Sequence, residues 1–259
     1  MILLAFDTAQ GALSAALFDA GSHVANGAGQ ESEPVLLSHV FEARARGHAE
    51  RLLPALEEVL AEAGLGFADL DALAVTVGPG TFTGLRVGLA AARGLALARK
   101  LPCIGVTTLE AVAEPVALQH GDRVAVSFDA RREEVYFQIF DENQGVVTEP
   151  ALLPLEIAAE NAAQHTGAAK LVLAGTGAAL LAERLLPMGV EALPADTRPQ
   201  PDARAIGRIA IRRIGERGLD AFRVPPAPLY IRAPDAKLPG GLTLEEARER
   251  DRARDGAHD

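Results

Sequence analysis

Three sets of residues in this 259-residue chain have types and spacings that could do chemistry. The first is GPGTFTGLRVG at 78–88, a glycine-rich stretch that runs on as LAAARGLALARK to Lys100. Such stretches hold phosphate when they open into a helix whose first amides point at the anion. The spacing excludes both nucleotide fingerprints. A P-loop needs Gly-Lys-Ser/Thr at its end, whereas Gly84 is followed by Leu85 and Arg86. A dinucleotide turn needs glycine at the sixth position from Gly78, which is Thr83. What remains is generic: amides over 81–84 with Arg86 nearby. The second set is a pair of acids, Asp7 (followed by Thr8) and Asp129 (followed by Ala130 and Arg131). They either face one cleft or begin turns, and turn structure is the favoured reading. The third is the histidines at 23, 39, 48, 120, 165 and 258, no two of them four apart as a helical metal pair would be. No metal site is expected. Cys103, the single cysteine, sits in the apolar run LPCIGV and reads as an inert buried thiol.

The elements that must position these residues repeat. ILLAFDTAQGALSAALFD (2–19) and VAVSFDARREEVYFQIFD (124–141) align without a gap, placing Asp7 on Asp129. Each copy reads as a buried strand, a turn begun by Asp and a second alternating strand, a β-hairpin. ALAVTVGPGT (72–81) and KLVLAGTGAA (170–179) follow in the same order as strands ending in a Gly-x-Gly turn before a helix, which points to duplication. HAERLLPALEEVLAEAGL has apolar residues at three- and four-residue steps, an amphipathic helix that starts near Leu53 or kinks at Pro54. The helix from Leu85 to Ala98 is apolar almost all round, relieved only by Arg86 and Arg93. Gly84, Gly88, Ala91, Ala92 and Leu95 form a smooth face on it that reads either as close packing within the chain or as a patch for a partner. A further helix covers roughly 202–217, and the charged end of the chain reads as a frayed helix or a disordered tail.

Composition narrows the classes. A net charge of −10 suits unaided nucleic-acid binding poorly, and RAIGRIAIRRIGER (204–217) reads as a solvated helix face, so RNA would need another subunit to grip it. No 18-residue apolar run and no basic leader are present, so a cytoplasmic protein without a membrane partner is expected.

Taken together, ILLAFDTA, HAERLLPALEEVL, the 78–111 segment, FDARREEVYFQIF and PLYIRAPDAKLPG resemble the TsaB (YeaZ) family over roughly residues 1–240. These are dimerisation subunits of bacterial tRNA threonylcarbamoyladenosine biosynthesis. The resemblance implies an α/β, actin-like/sugar-kinase/Hsp70-type (ASKHA) duplicated fold, with lobes at 1–105 and 106–220 and a proline-rich, charged segment at 221–259. It implies a non-catalytic scaffold that binds a TsaD-type catalytic subunit and is joined by a TsaE-type ATPase. These serve threonylcarbamoyl transfer to adenosine 37 of ANN-decoding tRNAs. ATP and metal are expected on those partners, tRNA is expected only within the complex, and a homodimer through the same face is expected when the partner is absent. Helices 48–63 and 83–99 would make the contact, through His48, Leu52, Leu53, Leu56, Leu60, Thr83, Gly84, Leu85, Arg86, Gly88, Leu89, Ala92 and Leu95. Asp7, Thr8, Asp129 and Arg131 would mark a vestigial nucleotide cleft, since both D-x-G glycines are missing. The alternative is a nucleotide-dependent transferase or hydrolase working in that cleft, for which no nucleophile–base pair is visible in the sequence.

Overall fold

A computed structural model describes residues 1–21, 34–166 and 170–232. The chain forms two units: Met1–Leu229 holds the regular elements found among the described residues, and the described residues 230–232 of the Tyr230–Asp259 unit are irregular. The mixed-charge tail lies outside the described residues.

Strands β1 (Ile2–Asp7) and β2 (Ala12–Asp19) form the first hairpin, β6 (Arg123–Asp129) and β7 (Glu134–Asp141) the second. The gapless sequence match conceals a slip. Asp7 lies opposite Ser14, but Asp129 lies opposite Val135, the counterpart of Leu13. A slip of one turns every side chain to the opposite face, which a sheet covered on both faces tolerates. Each hairpin gains an outer antiparallel strand, β3 (Val35–Ala43) or β8 (Ala151–Pro154), neither legible beforehand. On the other side stand two parallel strands, β4 (Ala72–Gly78) and β5 (Cys103–Thr107) in one sheet, β9 (Leu171–Ala174) and β10 (Ala192–Pro194) in the other. The orders β3-β2-β1-β4-β5 and β8-β7-β6-β9-β10 are the same topology twice.

The helices are α1 (His48–Glu62), α2 (Phe82–Arg99), α3 (Thr108–Ala113), α4 (Leu155–Thr166), α5 (Ala178–Leu185) and α6 (Ala203–Arg217). Helix α1 starts at His48, behind Gly47 at φ 80°, and runs through Pro54 instead of beginning beside it. Glu50, whose carbonyl loses the proline's N–H, is exposed, as is the ring of Pro54, so water can replace the missing bond. Leu4, Phe6, Leu13, Leu17, Leu73 and Val75 lie beneath α1 and α2. Leu3, Ala5, Phe18, Ile104 and Val106 lie beneath α6, on the opposite face of the same sheet. Helix α6 falls within residues 106–220 yet covers the first sheet, because its Ala203, Ile206, Ala210 and Ile214 fit there, with Gly207 against the Phe18 ring. The second sheet packs Val135, Phe137 and Ile139 under α4 and α5, and Val124, Val126 and Phe128 under α3. By topology α3 follows β5 as α6 follows β10, so each closes one repeat and covers a face of the other repeat's sheet, and α3 touches α6. This is the duplicated ASKHA architecture expected from the sequence.

Candidate functional site: a closed turn, a sealed acid and an outward helix pair

The glycines of the 78–88 stretch serve a close approach of backbone to backbone. A side chain at Gly80 would strike the carbonyl of Ala9, and one at Gly84 the carbonyl of Thr8. Thr8 Oγ1 donates to the Gly84 carbonyl at 2.8 Å, and the Thr81 amide donates to the Ala9 carbonyl at 2.8 Å. Of the amides over 81–84, those of Thr81 and Gly84 are engaged within the turn, Gly84 N donating to Thr81 Oγ1 at 3.2 Å, and Leu85 N donates to the Thr81 carbonyl at 3.0 Å. In the second repeat a side chain at Gly175 would strike the Ser127 carbonyl, and one at Gly177 would crowd the Ser127 hydroxyl. The turn is built to lay α2 on the end of β1.

Asp7 and Asp129 make matching turns, with Oδ1 accepting from the Ala9 amide at 3.0 Å and from the Arg131 amide at 2.8 Å. Their environments differ. Asp7 is fully buried, its Oδ1 also takes the Thr76 hydroxyl, and its Oδ2 has no partner. Burial pushes its carboxyl up to about 7, against the hydrogen bonds from Thr76 and Ala9. Asp129 is open to solvent, with Arg131 3.8 Å away at φ 66° and pointing outward.

A serine, a histidine and an aspartate do meet elsewhere, where β2, β3 and α6 join. His39 Nε2 lies 2.9 Å from Asp202 Oδ1 and 3.4 Å from Ser14 Oγ. A nucleophile triad needs Ser and Asp on opposite ring nitrogens, whereas here both address Nε2. The Ser14 hydroxyl is committed, donating to the Val40 carbonyl at 3.0 Å and accepting from Ala203 N at 3.0 Å. Burial would raise the Asp202 carboxyl, but hydrogen bonds from His39 and Arg204 hold it well below the usual carboxylate range. This cluster fastens the start of α6 to the hairpin. Burial pushes the Cys103 thiol up to about 12, so it stays protonated and inert. Among the described residues no group of three His, Cys, Asp or Glu could hold a metal ion, and no helix is long and apolar enough to cross a membrane.

The residues expected at a partner surface divide sharply. Leu52, Leu56 and Leu60 of α1, and Gly84, Leu85, Gly88, Leu89 and Ala92 of α2, are buried within the chain and unavailable to a partner. The smooth face of α2 is the inner one: a side chain at Gly88 would lie 2.7 Å from Thr8 Oγ1. His48 is half-buried and donates from Nε2 to the Ala12 carbonyl at 3.2 Å, pinning α1 to β2, and Leu95 is half-buried. Leu53, Thr83 and Arg86 do face outward. Beside them the outward stripe of α2 carries Phe82, Ala90, Arg93 and Leu97, the last 84% exposed. Sequence reasoning missed these four as site residues, although the seven-residue spacing of Arg86 and Arg93 marks the solvent side of an otherwise apolar helix. Arg86 stacks on the Phe82 ring at 3.7 Å from its centroid.

The sequence and the fold have known counterparts. The TsaB protein of Escherichia coli K12, described as a tRNA threonylcarbamoyladenosine biosynthesis protein, is 39% identical over 183 residues, 68% of this chain and 72% of that protein. The chain belongs to the TsaB family. The TsaB-family fold is seen in YeaZ from Pseudomonas aeruginosa, 30% identical, which superposes over 88% of this chain and 99% of that one with a TM-score of 0.67. A family model described as TsaD, tRNA N6-adenosine threonylcarbamoyltransferase, matches residues 36–151. A transferase of that description from Erythrobacter litoralis is 51% identical over 71 residues, 27% of this chain and 21% of that protein. This chain thus shares a region of similarity with the transferases.

Proposed function

We propose that this chain takes part in tRNA threonylcarbamoyladenosine biosynthesis as a non-catalytic subunit. It binds a TsaD-type transferase through the outward faces of α1 and α2, and a TsaE-type ATPase joins them. The observation that carries this reading is the outer face of that helix pair, which the other described residues leave exposed. Leu53 on α1, and Phe82, Ala90 and Leu97 on α2, are exposed apolar residues on two touching helices of opposite charge. Exposed Glu50, Glu57, Glu58 and Glu62 lie along α1, while exposed Arg86, Arg93 and Arg99 lie along α2, which has no acid. Such a face complements a two-fold copy of itself, acids against bases, and equally a partner built on a related fold. The homodimer is then the resting state when the transferase is absent. Shape and burial further support an accessory role: Asp7 is sealed from substrate, and Ser14 has no free proton to transfer. ATP and metal are assigned to the partner subunits.

Leu53→Asp combined with Leu97→Asp tests this without touching the core. The expected result is loss of co-purification with the transferase and loss of the modified nucleoside in tRNA digests, with the melting temperature unchanged. Retention of both would overturn the proposal. Asp7→Asn with Asp129→Ala should leave modification intact, and its loss would point to chemistry in this chain.

A further inference from the structure

Helix α6 carries Arg204, Arg208, Arg212, Arg213 and Arg217 against one acid, Glu216, in a chain of net charge −10. Arg204, Arg208 and Arg212 recur one turn apart on the side away from the first sheet, whose contact face is Ile206, Ala210 and Ile214. Arg204 and Arg208 line one wall of a groove of about 640 Å³, whose other walls are Ala111 and Pro115 at α3 and residues 195–200 after β10. Arg198 lines it as well, its guanidinium stacked 4.1 Å from the centroid of Phe41 and half exposed.

Two of these arginines are held in place by carboxylates. Asp202 accepts from Nε and Nη2 of Arg204 at 3.1 and 2.7 Å. Glu114 accepts from the same two nitrogens of Arg208. A guanidinium has five N–H donors in one plane, so a two-point carboxylate contact fixes the plane and leaves an edge for another acceptor. The Nη1 of each has no hydrogen-bond partner among the described residues, and the buried Thr197 Oγ1 on the 195–200 wall has none either. Asp196 and Asp202 also line the groove, so its surplus of positive charge is small. Contact with an anion there depends on oriented donors rather than a strong field.

We infer that this groove and the exposed turn at Arg212 receive the sugar–phosphate backbone of an RNA strand. The Arg204 and Arg208 edges meet successive phosphates, and Arg198 offers a flat face to a base. The inference rests on the role in tRNA modification proposed above. It also explains how an acidic chain contributes to RNA binding only within an assembly, since three or so phosphate contacts give little affinity alone.

The test uses the assembled complex with the transferase subunit and an unmodified tRNA transcript, read by fluorescence anisotropy at several salt concentrations. Arg212→Glu breaks no ion pair among the described residues and should weaken binding about fivefold. Arg208→Glu with Arg212→Glu should weaken it more than about tenfold and flatten the salt dependence by about one to two contacts. Co-purification and melting temperature of the Arg212→Glu chain should not change. Equal affinity and salt slope in wild type and Arg212→Glu would overturn the inference while leaving the tRNA role standing. Absence of RNA binding by the wild-type complex would overturn both, and loss of the transferase from Arg212→Glu would reassign the face to protein contact.

Discussion

At the scale of single residues, Asp7 is the anomaly: a carboxyl without access to water, one oxygen unbonded, raised to about 7 from an ordinary 3.8. The native state therefore holds that proton more tightly than the unfolded chain does. Stability from this group is fully present below the unfolded value and falls as pH rises from about 4 to about 7, then levels off. Asp7→Asn removes the charge while its Oδ1 still accepts from Ala9 and Thr76. It should stabilise the chain at pH 8 by about 1–3 kcal/mol, less than the roughly 4 kcal/mol a shift of this size represents, because the new amide group is itself unpaired. Below about pH 4 the gain should vanish. Urea denaturation across the pH range measures this, and an Asn variant with the wild-type pH profile would refute the account. The acid's position is written in the sequence, since Asp ends an apolar strand. Its burial is not, because α2 and Thr76 arrive from 69 or more residues away.

Among the elements, α2 shows how far pattern reading reaches. Its apolar length predicts a helix and its small residues predict a close approach, and both are present. Which face approaches what is undetermined by a helix that is apolar nearly all round. The decision falls to Thr8 and Ala9, whose carbonyls admit only glycine at 84 and 80. Two glycine substitutions separate the faces. Gly84→Ala would force α2 off the end of β1 and should cost about 2–4 kcal/mol. Gly94→Ala, exposed on the same helix with nothing within 4 Å, should stabilise by about 0.5–1 kcal/mol by restricting the unfolded chain. Chemical denaturation of the two variants gives both signs, and a neutral Gly84→Ala would show that the contact is dispensable.

For the whole molecule, the exchange of covering helices means that neither repeat can be cut away cleanly. A chain ending at residue 200 lacks α6 and uncovers Leu3, Phe18, Ile104 and Val106. It should lose cooperative melting and bind a hydrophobic dye, and a sharp thermal transition in that truncated chain would contradict the packing described. The sequence by itself determined the duplication, both hairpins, the Gly-x-Gly strand ends and the family. All of these are local patterns of two- and three-to-four-residue period, repeated in order along the chain. It did not show that α6 belongs to the first sheet, that the hairpins differ by one residue in register, or that α2 turns its smooth side inward. Those depend on which surfaces meet. A buried helix with apolar residues on every side has no local mark of its partner, so only the assembled core settles where each side chain stands.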